Sequence, residues 1–207
     1  MISKGAPGIS NSKSLIVDPT YRQQLEAFEK FGFISKAQAD AFARKWSKGS
    51  NEYGNYPFDC VYRMLGRVGR TNPVSPFTKK WFYFDTEAIY NPGDYIWILE
   101  NASRITNGEL ILGNIGDLID IDHGVARVLF TCRGERYVWD LEAYHDWADC
   151  NLFEMLQSLA EKYNTKGRFT GYYDGQAVVI GYCTPEELDH IKKITELDIF
   201  WFKTRKI

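Results

Sequence analysis

The stretch GRFTGYYDGQAVVIGYCTPEELDHIKKITEL, residues 167–197, decides the fold class. Phe169, Tyr172 and Tyr173 belong to an aromatic-rich strand, and the run from Gln176 to Tyr182 is apolar almost throughout. Between them Asp174-Gly175 has the chemistry of a two-residue hairpin turn, whose positive φ angles match the twist of the flanking strands. Thr184 then reads as a helix N-cap, Pro185 as the first helical residue, and Glu187 as the acid that closes a capping box. Leu188, Ile191 and Ile194 fall on one face of that helix. Strand, turn, strand and capped helix with no crossover is a unit of antiparallel α+β architecture. It specifies structure and carries no chemistry.

Working outward, the same order occurs just upstream. Val125–Phe130 and Tyr137–Leu141 read as strands joined at Arg133-Gly134. Asn151 is positioned as a cap with Glu154 three residues on, and Leu152, Met155, Leu156, Leu159 and Tyr163 form an apolar stripe. Residues 125–163 and 168–197 thus repeat a topology, though not a sequence. Before them, Trp81–Phe84, Tyr95–Leu99, Glu109–Leu112 and Leu118–Ile121 are branched and aromatic runs. Turn signals at 91–94, Asn107-Gly108 and His123-Gly124 separate them, which predicts a meander. A last strand, Ile199–Phe202, precedes a basic tail of Lys203, Arg205 and Lys206.

The first third is different. A helix is expected from Pro19 to about Lys30, with Leu25, Phe28 and Phe31 at near-helical spacing. Ser35 and Gln38 form a capping box for a second helix to about Lys48, carrying Ala39, Phe42 and Trp46. Lys36, Arg44, Lys45 and Lys48 give this helical hairpin a basic rim. Residues 1–18 and 49–58 read as lead-in and loop, and Phe58–Leu65 fits a short helix or a strand. Pro73 and Pro76 mark 71–79 as the best boundary. The expectation is therefore a helical, basic N-terminal subdomain over 1–75 and an antiparallel α+β domain over 76–207, or one continuous domain. Within it a helical hairpin leads a mainly antiparallel sheet, with a meander, two strand–strand–helix units and helices on one face.

A chain of 207 residues with 44% hydrophobic content has ample core, which excludes an intrinsically disordered class. Thirteen Tyr, thirteen Phe and six Trp favour strands and, equally, protein-binding surfaces. The first ten residues hold no apolar signal core, and no run of roughly 18 apolar residues offers a membrane helix. A soluble, cytoplasmic protein with no membrane partner is expected. Cys60, Cys132, Cys150 and Cys183 are widely spaced with no C-x-x-C pair, so reduced, buried thiols are expected.

The net charge of −2 conceals a segregation. Residues 1–80 hold 13 Lys+Arg against 6 Asp+Glu, a balance of +7; residues 109–154 hold 3 against 10, a balance of −7. The basic third, with Trp46, Tyr53, Tyr56 and Tyr62, has the composition of a single-strand nucleic-acid surface. A pI near 6.0 and the lack of any nucleic-acid-binding motif make nucleic acid the less favoured partner.

Asp120-Ile-Asp122-His123, with Asp117 nearby, is the most metal-like cluster. Strand alternation would put Asp120 and Asp122 on one face. Asp140, Glu142, His145, Asp146 and Asp149 could add ligands or a general base, which makes a metal-dependent hydrolase or nuclease the alternative reading. The calcium-loop pattern is incomplete, His123, His145 and His190 lack ligand spacing, and neither a G-x-S-x-G elbow nor a phosphate-binding G-x-x-x-x-G-K-[ST] occurs.

The favoured reading is a non-enzymatic protein-binding protein that needs no cofactor, an inhibitor of a basic toxin or nuclease. Clustered carboxylates speed capture of a basic partner, and Tyr or Trp side chains anchor it. In size, compartment and charge the chain resembles the bacterial immunity proteins that neutralise contact-delivered toxins, a likeness of layout that transfers no site. The candidate partner-binding residues are Asp117, Asp120, Asp122, Glu142, Asp146 and Asp149, with Tyr144 and Trp147 as anchors. Residues 142–149, EAYHDWAD, join a strand to a helix, where binding loops usually sit.

Overall fold

In the computed structural model the described residues are 20–46, 58–67 and 77–207. The expected lead-in 1–18, most of the loop 49–58, and Lys48, Tyr53, Tyr56, Pro73 and Pro76 lie outside them.

Strand β6 (Ala177–Cys183) is buried at all seven positions. A strand with no wet face must be central and covered on both sides. It pairs antiparallel with β1 (Trp81–Asp85) on one side and with β5 (Arg168–Asp174) on the other. Asp174 pairs with Ala177, so the hairpin loop is Gly175–Gln176, one residue later than expected, with Gly175 at φ +60°. β7 (Phe200–Trp201) adds to the far edge of β5 and completes a four-stranded sheet, β1-β6-β5-β7. Gly171 makes that last pairing possible, because a Cβ there would collide with the rings of Phe200 and Phe202.

Alternation along these strands feeds two cores. Trp81, Val179 and Cys183 face one cluster with Leu25, Phe28, Phe42, Val61, Leu65, Leu188 and Ile191. These come from α1 (Tyr21–Lys30), α2 (Lys36–Trp46), α3 (Asp59–Leu65) and α6 (Pro185–Thr195). Phe82, Phe84, Val178, Ile180 and Tyr182 face the other, with α4 (Asp94–Ile105) and α5 (Asn151–Lys162). That second core also takes the inner face of a separate antiparallel meander, β2 (Leu112–Asp120), β3 (Val125–Cys132) and β4 (Glu135–Leu141). The α+β architecture, the leading helical hairpin, the antiparallel pairing and both strand–strand–helix units follow the sequence reading. The strands divide into two sheets, and helices cover both faces of the larger one.

Local chemistry accounts for the starts of three helices, α1, α2 and α6. The Thr184 amide donates to Glu187 Oε2 at 3.0 Å and the Glu187 amide to Thr184 Oγ1 at 3.3 Å, which is the expected box. Ser35 and Gln38 do the same at 2.7 and 3.3 Å, and Thr20 with Gln23 caps α1. The segment left open between helix and strand is helix α3. Its Arg63 donates to Asp59 at 2.5 Å and pairs with Asp174, while the Tyr172 hydroxyl donates to Asp59 at 2.6 Å. This network ties α3 to the β5–β6 hairpin.

The main correction is Tyr95–Leu99, which is helix α4 and not a strand. Its buried residues Tyr95, Ile98, Leu99, Ala102 and Ile105 recur at helical spacing. Aromatic and β-branched content favours strands only weakly, and a tertiary cap outweighs it here. Asn107-Gly108, at φ 51° and 90°, consequently turns the chain out of α4 and closes no hairpin. Of the expected strand Glu109–Leu112 only Leu112 is strand, and it opens β2, which runs on through Leu118 to Asp120 with a register shift between Gly113 and Gly116. The cap of α5 also moves: Cys150 is the N-cap, and the Asn151 amide donates to Asp149 Oδ1 at 2.9 Å.

Thr184→Ala removes the side-chain acceptor of the α6 box and is expected to lower stability by about 1 kcal/mol. A urea titration should show a lower midpoint with unchanged m; an unchanged midpoint would mean that Glu187 alone holds this helix end.

Candidate functional site

Two loops meet at the start of α4. One follows β1 (residues 86–93) and the other follows β4 (residues 142–150). Backbone groups zip them together. Ala148 N–H donates to Thr86 O at 2.7 Å, and the amides of Ala88 and Ile89 both donate to Asp146 O, at 2.8 and 2.9 Å. Glu87 and Trp147 form an antiparallel bridge, and Trp147 N–H donates to Tyr144 O at 3.1 Å. Thr86 N–H donates at 3.1 Å to Gln176 O, which attaches the pair to the β5–β6 turn.

The side chains of this paired loop are acidic. Asp85 accepts from the Glu87 amide at 3.0 Å and from the Gln176 side chain at 3.0 Å, and Gln176 also donates to Glu87 Oε2 at 3.3 Å. Tyr90 is 57% exposed, its hydroxyl donates to Glu87 O at 3.1 Å, and its pKa is raised chiefly by the neighbouring Asp146 carboxylate, with desolvation and the charges of Glu87 and Asp85 adding. Tyr144 is 67% exposed, its ring against His145, and Glu142 is exposed. Trp147 and Asp146 are half-buried. No Lys or Arg occurs in 85–100 or in 137–161. Among the described residues, Asp85, Glu87, Asp117, Glu142, Asp146 and Asp149 make no ion pair.

The sequence-selected acids divide by what they touch. Asp117, half-buried on β2, accepts from the amides of Gly93 at 2.8 Å, Tyr95 at 3.1 Å and Ile96 at 3.4 Å, and so caps α4. Asp149 accepts from the amides of Glu142 and Asn151, both at 2.9 Å, and its own amide donates to Tyr95 Oη at 2.9 Å. The Tyr95 phenol, between them, is pushed up to about 12, mainly by burial and further by the charges of Asp149 and Asp117. Asp120 is bound by His123 Nδ1 at 2.9 Å, which holds its carboxyl below the usual range. β2 ends at Asp120, so Asp122 lies in the turn and the two do not share a strand face. Asp140 pairs with Arg127 at 2.6 Å. Among the described residues no three His, Cys, Asp or Glu side chains converge as a metal ion would require.

The structure therefore gathers Glu142, Tyr144, Asp146 and Trp147 in one place, with Asp149 and Asp117 beneath them. It adds Asp85, Glu87 and Tyr90, which the sequence reading missed. The available signal was the acidic, cation-free run 85–100, more than forty residues before the loop it joins. At the opposite layer, Lys36, Arg44 and Lys45 are exposed, but Tyr62 is 1% exposed and has no face to offer a nucleobase.

Asp117→Ala leaves three amides at the start of α4 without their acceptor and removes a carboxylate from the positive end of the helix. A loss of about 1–2 kcal/mol is expected, read as a lower urea midpoint. A loss below a few tenths would show that the start of α4 does not depend on the Asp117 carboxylate.

Comparisons with protein-family models, with curated proteins and with solved structures give no match to this chain.

Proposed function

We propose that this chain is a non-enzymatic protein-binding protein that captures a basic partner, as an inhibitor or immunity protein neutralising a toxin or nuclease domain in the cytoplasm. The observation that carries the reading is the zipped pair of loops 85–93 and 142–149. It presents Asp85, Glu87, Glu142 and Asp146, which make no ion pair among the described residues, beside the exposed rings of Tyr90 and Tyr144. A concentrated negative field raises the encounter rate with a positive surface and orients it before contact. The two tyrosines then offer rigid aromatic area of the sort that anchors an interface. A nuclease is positive where it grips phosphate, so an acidic surface of this kind is complementary to its groove.

Backbone hydrogen bonds hold the loops, so their shape does not depend on the acids pointing outward. Among the described residues no helix is long and apolar enough to cross a membrane, which is compatible with this role.

Glu87→Lys/Asp146→Lys tests the reading. Affinity capture from the source cell at low salt should retain a basic protein on the wild-type chain, release it at high salt, and retain at least tenfold less on the double variant. Far-UV circular dichroism should be unchanged. Equal retention by the folded variant would remove this surface from the interface.

A further inference from the structure

Two sheets of this kind have four edges, and three of them are blunted. β7 is two residues long. β1 is covered on its outer side, where Tyr83 N–H donates to Gly66 O at 2.9 Å and Arg67 bridges to Tyr83. β2 is broken by a register shift between Gly113 and Gly116, with Asn114 at φ 50°. β4 differs. Its seven residues pair with β3 in unbroken register, from Glu135 opposite Cys132 to Leu141 opposite Ala126. Among the described residues no strand pairs with its outer side. An edge that is regular, free of proline and seven residues long is a template for another strand.

The sequence of that edge selects the strand. The inner five residues of Glu135-Arg-Tyr-Val-Trp-Asp-Leu141 are charge-complementary to themselves about Val138, while Glu135, at the end, faces Leu141 and keeps its own partner Lys162. In an antiparallel pair of two β4 strands related by a two-fold axis at Val138, position 138+n faces 138−n. Arg136 then faces Asp140 twice, Tyr137 faces Trp139 twice, and Val138 faces its own copy. Opposite charges and aromatic pairs directly across a ladder are favourable. Arg136 is exposed and makes no ion pair among the described residues, while Asp140 already holds Arg127 at 2.6 Å on the same outer face. The pairing extends this to Arg127–Asp140–Arg136 across the two copies. It also covers Val138, 50% exposed on the open face of the meander beside Leu129.

We infer that β4 is a self-association edge, through which two copies of this chain join their three-stranded meanders into one continuous six-stranded sheet. The interface is isologous, as two-fold symmetry requires.

Sedimentation velocity of the full chain over a range of concentrations tests this. The wild type should show a concentration-dependent monomer–dimer equilibrium. Arg136→Asp sets Asp against Asp140 at both ends of the pair and should shift the midpoint of dimerisation at least tenfold upward, with an unchanged circular dichroism spectrum. The swap Arg136→Asp/Asp140→Arg restores opposite charges across the axis and should bring the dimer back. A wild type that stays monomeric, or a dimer indifferent to Arg136→Asp, would overturn the inference.

Discussion

The burial of β6 on both faces is the constraint from which the rest of the fold follows. Val178, Val179 and Ile180 are fully buried in sequence, with their side chains alternating between two cores. Each such side chain contributes about 1.5–3 kcal/mol when removed from water, and the gain exists only if both faces are covered. One layer of helices would strand half of it. The chain meets the requirement with α1–α3 and α6 on one side, and α4, α5 and the second sheet on the other. The Asp59–Arg63–Asp174–Tyr172 network belongs to this requirement too, since it locks α3 over the hairpin that β6 completes.

Elements specified by neighbours in sequence were legible to within a residue or two. Thr184, Pro185 and Glu187 determine where α6 begins because every partner of the cap lies within three residues. The β5–β6 turn slipped by one position, since Gly175 suits either central site of a two-residue loop. Tyr95–Leu99 failed for the opposite reason. Its helical state depends on Asp117, a carboxylate more than twenty residues downstream that arrives only when β2 is in place. Composition in the five residues favours a strand, and the opposing helical spacing shows only when the window extends through Ala102 to Ile105. The bulge in β2 was likewise invisible: a glycine-rich interruption in a strand and a turn between two strands look alike in sequence.

The candidate site was legible by half. Residues 142–149 announce themselves as an acidic, aromatic segment between a strand and a helix. Their partner loop does not, because the zipper joining 86–89 to 146–148 consists of backbone amides and carbonyls, which any residues could supply. Nor does a sequence separate acids that face outward from acids that face amides. Asp117 and Asp149 have the same side chain as Asp146, yet each accepts two or more backbone hydrogen bonds and organises a helix start, whereas the Asp146 carboxylate acts on the exposed Tyr90 beside it.

That division explains how so many carboxylates coexist without a lysine or arginine among them. Mutual repulsion among like charges destabilises a compact state, and some positive potential must offset it. Here the offset comes from helix N-termini, where the aligned peptide dipoles of each helix place roughly half a positive charge. Asp94 and Asp117 lie at the start of α4, and Asp149 lies at the start of α5. Ion pairs would have achieved the same balance by covering the carboxylates. A helix terminus instead neutralises the inner acids from below and leaves Asp85, Glu87, Glu142 and Asp146 without an ion pair among the described residues. The surface therefore keeps its negative field, held in shape by hydrogen bonds between backbone groups that salt does not screen in the way it screens surface charges.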